Sequence, residues 1–143
     1  IIPDKAIREK FYSWLAANEF DMATIFAMTA TEAAFTHGEE WRRQMLRYIE
    51  GNIDFVADYL EKYIPQVRAV KPQASYLVWL DFSRLGLEHE ALADMIINKA
   101  RLAMNDGAMF GVEGRQHMRM NVGCPRSVIA EAMDRLKKAV DEL

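Results

Sequence analysis

Few stretches of this 143-residue sequence gather the residue types that chemistry needs, and the richest is His117-Met118-Arg119-Met120-Asn121-Val122-Gly123-Cys124-Pro125-Arg126. Its alternation predicts a strand with Met118, Met120 and Val122 on an apolar face and His117, Arg119 and Asn121 on a polar one. A guanidinium fixed on such a face can clamp a carboxylate through two parallel hydrogen bonds. It can equally form a structural salt bridge, and spacing leaves both roles open. Arg126 stands where the next helix opens, the end at which the helix dipole disfavours a cation, so it needs an acid or a backbone carbonyl as partner. Cys124 could serve as a nucleophile, but nothing local would activate it, and a small buried thiol is the simpler role.

Beyond this stretch the residues exclude more than they offer. The histidines His37, His89 and His117 are far apart, no Cys/His group has zinc spacing, and no HExxH pair occurs. There is no Walker loop, no GxGxxG turn after a strand and no GxSxG elbow; Gly111-Val112-Glu113-Gly114 is only a glycine-bearing turn. No catalytic residue is assigned and no metal is implied. The nine methionines are spread over core-facing positions, as gap-fillers would be. A net charge of −3, with basic residues interspersed among acids, gives no electropositive face for nucleic acid. No apolar run approaches the ~20 residues that cross a bilayer. No secretory leader is recognisable, and a single cysteine allows no internal disulfide, so a reducing, cytoplasmic setting is expected.

The elements that would carry these residues follow from periodicity. With 51% hydrophobic and 27% charged residues the chain has the balance of a folded protein. Three helices are predicted over residues 4–17, 22–36 and 39–64. Asp21 is a candidate N-cap of the second, which is apolar enough to expect burial on most sides. The third spans about 39 Å, enough to run from one domain to another, with Gly51 inside it marking a close contact or a bend. Strands follow at 67–70 and 76–82, the latter with Tyr76, Val78, Leu80 and Phe82 on one face. Then come a helix at 88–103, with Ala91, Leu92, Met95, Ile96 and Ala100 inward, and an extended piece at 107–111. The strand around Arg119 leads to a last helix opening at 125–127, with Val128, Ile129, Ala132, Met133, Leu136 and Val140 inward. The order implies an α+β fold: helices, then a small, mostly antiparallel sheet covered by helices.

Several motifs then fall into one pattern. Arg119-Met120-Asn121 with Gly123-Cys124-Pro125-Arg126-Ser127, the run Ala33-Ala34-Phe35-Thr36-His37-Gly38-Glu39-Glu40-Trp41, the strand Ala74-Ser75-Tyr76-Leu77-Val78-Trp79-Leu80-Asp81 and the segment Asn105-Asp106-Gly107-Ala108-Met109-Phe110-Gly111 occur in this order. Together they resemble the C-terminal part of fold-type I pyridoxal-phosphate (PLP) enzymes, the aminotransferase class I/II superfamily. They are most similar to cystathionine β-lyase-like C–S lyases. Ala74 stands where that family has glycine, and Asn105-Asp106 where proline is common.

The resemblance implies that residues 1–37 are the last helices of the PLP-binding large domain, and 38–143 the interdomain helix plus the C-terminal small domain. It implies that Arg119 binds the α-carboxylate of an amino-acid substrate, with Asn121 beside it. PLP would belong to the full-length parent, and this chain would hold none. The family's Schiff-base lysine lies in an SKxFN context that none of Lys5, Lys10, Lys62, Lys71, Lys99, Lys137 and Lys138 shares. The opening Ile1-Ile2-Pro3 reads like the end of a strand, as though a longer chain had been truncated. The parent would β-eliminate a thiol from a cysteine S-conjugate or cystathionine, giving pyruvate and ammonia, while this chain alone would be inactive. An aminotransferase fragment, or a stand-alone, non-catalytic binding or assembly domain, are the alternatives. The parent would be a homodimer, and the chain by itself would self-associate through apolar surface on residues 1–37.

Overall fold

In the computed structural model, which describes residues 1–20 and 24–143, capping and burial account for most element boundaries. The chain divides into two units, Ile1–Arg43 and Gln44–Leu143, and the boundary falls inside a helix.

The first unit holds α1 (Lys5–Ala17), α2 (Ile25–His37) and the start of α3 (Glu39–Tyr63). Asp4 caps α1 by accepting from the Ile7 N–H at 2.9 Å, and Arg8 Nη1 donates back to the Ile2 carbonyl at 2.8 Å. Asp21 lies outside the described residues; the cap on α2 is Thr24, whose hydroxyl accepts from the Ala27 N–H at 3.2 Å. Neither α1 nor α2 buries a single residue. Phe26 and Phe35, on the apolar α2, are 85% and 89% exposed. Gly38 follows because a Cβ there would sit 2.4 Å from the Ala34 carbonyl oxygen.

The second unit is a four-stranded antiparallel sheet in the order β1-β2-β4-β3, with β1 Arg68–Val70, β2 Leu77–Asp81, β3 Asn105–Asp106 and β4 His117–Asn121. Alternation puts Val78 and Leu80 of β2 and Met118 and Met120 of β4 into one apolar core. That core also takes Val56 and Leu60 from α3, Leu92 from α4 (His89–Asp94), and Ile129, Met133, Leu136 and Ala139 from α5 (Arg126–Asp141). The architecture is therefore the expected α+β, with five α-helices among the described residues and a small antiparallel sheet.

Three local expectations are corrected. The helix placed at 88–103 is α4 followed by a π-helical turn, Met95–Lys99, which ends where Arg101 turns left-handed at φ 54°. The Ala100 N–H reaches back five residues to the Met95 carbonyl at 2.8 Å, which widens the last turn and keeps Ala100 in the core while ending the helix. The segment 107–111 is not extended; Gly107–Phe110 is a 3₁₀ turn, started by the Asp106 carboxylate accepting from the Ala108 N–H at 2.9 Å. Its strand lies just before it, at β3. Finally, Ala91 and Val128 face outward and Ala139 is buried, while Leu92, Met95, Ile96, Ala100, Ile129, Met133 and Leu136 are buried as expected.

Candidate functional site

Arg119 sits in β4 opposite Trp79 of β2 and Asn105 of β3, on the sheet face away from the core. Its Nη2 donates to Asn105 Oδ1 at 3.0 Å, and the guanidinium lies over the Phe110 ring at 4.6 Å. Its Nε is buried and has no hydrogen-bond partner among the described residues. No carboxylate of the described residues pairs with it. One edge of the fork is therefore held by an amide oxygen and an aromatic face, and the remaining donors are left for an oxyanion.

The surroundings are aromatic and rigid. Phe110 meets Trp79 edge-on at 5.6 Å, and Trp79 stacks on His117 at 5.4 Å. Beyond His117 lies Asp81, which accepts from the Ser83 N–H at 2.9 Å and from Arg68 at 3.1 Å. Burial pushes the Asp81 carboxyl up, but the Ser83 hydrogen bonds and the His117 and Arg68 charges outweigh it and hold it below the usual range. On the other side, Asp106 accepts from His89 Nε2 at 2.9 Å, tying β3, and so Asn105, to the start of α4. Burial opposes ionisation there too, and hydrogen bonds from Ala108 and His89 reverse the balance and lower the pKa.

Asn121 follows Arg119 by two residues and is exposed, with its Oδ1 accepting from the Gly123 N–H at 2.8 Å. Cys124 is half-buried beside Leu102, Met120 and Ile129 in a mostly apolar depression of about 150 Å³. Among the described residues Arg126 pairs with neither an acid nor a backbone carbonyl. Its Nε donates to Asn52 Oδ1 at 2.6 Å and its guanidinium lies 5.3 Å from the Phe55 ring, neutral partners that stabilise a cation without adding a buried charge. Gly51 marks a close contact, since a Cβ there would stand 2.9 Å from Arg126 Nη2.

Asn52, Asn105 and Phe110 escaped sequence reasoning. Asn52 was findable, because it is a polar residue on the stripe formed by Ile49, Ile53, Val56 and Leu60; Asn105 and Phe110 lie in one of the motifs quoted above, but nothing in that motif announces their contact with Arg119. No group of three or more His, Cys, Asp or Glu that could hold a metal ion occurs among the described residues. Nor is any lysine placed as a Schiff-base anchor, which requires burial or a neighbouring cation to lower its pKa. Six of the seven are exposed; Lys137 is half-buried but paired with Asp141, and Lys71 is pushed up by its hydrogen bond to Asp54. The residues present do not fit a covalently held PLP. No helix among the described residues is long and apolar enough to cross a membrane.

No protein-family model matches the chain. Among characterised proteins it is 36% identical over 140 residues to the cystathionine β-lyase PatB of Bacillus subtilis (strain 168), covering 98% of this chain and 36% of that protein. Cystalysin from Treponema denticola, whose crystal structure contains pyridoxal 5′-phosphate, is similar with a TM-score of 0.93 at 31% identity, covering 99% of this chain and 36% of that one. The PLP-bound C–S lyase from Staphylococcus hominis gives 0.84 at 26% identity, covering 99% and 37%. The chain thus spans about a third of the length of the curated relatives it matches. Over nearly its whole length, then, it matches the C-terminal third or so of the PLP-dependent cystathionine β-lyase and C–S lyase family, within the fold-type I aminotransferase superfamily.

Proposed function

We propose that this chain supplies the substrate-carboxylate anchor of a PLP-dependent C–S lyase, one that β-eliminates a thiol from a cysteine S-conjugate or cystathionine to give pyruvate and ammonia. The observation that carries this is Arg119, a guanidinium pinned by Asn105 and Phe110 with its buried Nε unsatisfied. The donors of the fork that no acidic side chain of the described residues uses can pair with a carboxylate through charge-assisted hydrogen bonds. Asn121 is a second donor on the same strand face. PLP, when bound, supplies the electron sink for the reaction, and the residues that hold it belong to the part of the relatives' length that this chain does not cover. Residues 1–37 are then the last helices of the cofactor-binding domain, and 38–143 the interdomain helix and small domain of a homodimeric enzyme.

What Arg119 does in this scheme is orientation. Two-point attachment of the carboxylate fixes the amino acid about its Cα, and misplacement by about an ångström costs on the order of 10²-fold in rate. Arg119→Lys in the intact enzyme keeps the charge and loses the fork, so kcat/KM for an amino-acid substrate is expected to fall about 10²-fold. An unchanged kcat/KM would remove Arg119 from the site, and transamination in place of pyruvate release would assign the same anchor to an aminotransferase.

A further inference from the structure

Asn52, in the middle of α3, is completely buried, and both of its donors and its acceptor oxygen are engaged. Its Nδ2 donates to the carbonyls of Val122 at 2.8 Å and Cys124 at 2.9 Å, while its Oδ1 accepts from Arg126 Nε at 2.6 Å. Two carbonyls and a guanidinium dictate which end of the amide faces which, so the side chain has one satisfied orientation. Arg126 is seated from the other side as well: its backbone N–H donates to the Tyr48 hydroxyl at 2.8 Å, and its guanidinium packs near the Tyr48 and Phe55 rings. Gly51 leaves the room that Arg126 Nη2 fills.

The turn held in this way bears on the candidate site. Gly123 lies between the two carbonyls that Asn52 grips, and its own N–H is what Asn121 Oδ1 accepts. With Oδ1 so engaged, the Nδ2 of Asn121 is a donor without a partner among the described residues. We propose that Asn52, seated by Gly51 and Arg126, is a positioning residue for substrate recognition: it fixes the turn 122–124, and the Gly123 N–H in turn fixes the amide of Asn121 beside Arg119 to share the substrate carboxylate. This rests on the role given to Arg119 above.

The test uses the complete PLP-loaded enzyme that contains this chain, with KM and kcat for its amino-acid substrate and the thermal midpoint measured together. Gly51→Ala is the decisive variant. It removes no hydrogen-bonding group, places a better helix former in α3, and meets only the end of a flexible arginine. A merely structural role leaves KM alone and holds or raises the midpoint. Positioning raises KM roughly five- to tenfold, with a smaller change in kcat and a midpoint no lower than wild type. Arg126→Ala is expected to raise KM comparably and to abolish any further effect of Gly51→Ala. Asn52→Ala should raise KM about tenfold or more; if it fails to fold, Gly51→Ala decides. KM within about twofold of wild type in Gly51→Ala, or independent effects of Gly51→Ala and Arg126→Ala, overturns the proposal. An enzyme that turns over and loses kcat/KM in Arg119→Lys but not in Gly51→Ala defeats the positioning role alone. One without any activity on amino acids defeats both.

Discussion

Gly107 and Gly114 approach each other through their backbones. A Cβ added to Gly114 would stand 2.0 Å from the Gly107 carbonyl oxygen and 2.4 Å from its carbon; one added to Gly107 would stand 2.2 Å from the Gly114 oxygen. Ordinary contact begins near 3.4 Å, so Gly114→Ala must part the two turns by more than an ångström. No flexible side chain can absorb that displacement, because every atom in the way is backbone. Overpacking of this kind costs about 1–3 kcal/mol, and movement of the 107–110 turn also strains the Asp106 hydrogen bonds to Ala108 and His89. We take about 3 kcal/mol as the expected loss. At ~4–8 °C per kcal/mol for a domain of this size, the thermal midpoint should fall by roughly 12–24 °C. The control is Gly86→Ala, where φ is 66° and no atom lies within 4 Å, so only the left-handed conformation is penalised, by about 1 kcal/mol or roughly 4–8 °C. Melting followed by far-ultraviolet circular dichroism reads both. A Gly114→Ala midpoint within about 2 °C of wild type, or above that of Gly86→Ala, would refute the close approach and with it the rigidity of the turn that carries Phe110 to Arg119.

Further outcomes follow from the charges and the surface. Asp81 and Asp106 both have lowered pKa values in the folded chain, so the stability they add is complete above the unfolded carboxylate value near 4 and is lost as pH falls through their lower folded values. Asp106→Asn should therefore flatten the acid limb of the midpoint-against-pH curve below about pH 4, and an acid limb like wild type's would count against the assignment. Incubated with PLP and treated with borohydride, this chain should show only diffuse labelling of surface lysines; a stoichiometric adduct on one lysine would reveal a cofactor site among them. Light scattering at rising concentration should give masses above the 16.5 kDa of one chain, because Ile25, Phe26 and Phe35 are 82–89% exposed on a largely apolar helix. A constant monomer mass would contradict that expectation.

What could be read from the residues alone was what depends on neighbours in the chain. The alternation of Met118, Met120 and Val122 against Arg119 and Asn121 needs only the period of a strand, and the structure keeps it. The start of α1 was legible for the same reason: the helix predicted from residue 4 begins at Lys5, directly after its cap, Asp4. The π turn was invisible because Met95 to Lys99 contains neither glycine nor proline to mark a change of helix type; only the fold shows that it leaves Ala100 in the core. The extended segment assigned to 107–111 failed because the partner that compresses it, Gly114, belongs to the next turn. Asn52 meets Val122 and Cys124 across some 70 residues of chain, and nothing local announces such a pairing. The frame of the site was thus legible from Arg119, whereas its supports, Asn105, Phe110 and Asn52, depend on tertiary contacts.

The two outer strands of the sheet have a consequence for how copies of this chain meet. β1 is three residues long and runs straight into Lys71 and Pro72, while β3, at the opposite rim, has only two residues. Short rims guarded by a cation and a proline make poor templates for strand addition. Any association of copies is therefore expected through the apolar helices rather than by strand addition, and should leave the helical circular dichroism unchanged. Concentrated solutions should cloud reversibly and clear on dilution, because helices in loose contact separate far more readily than strands locked edge to edge.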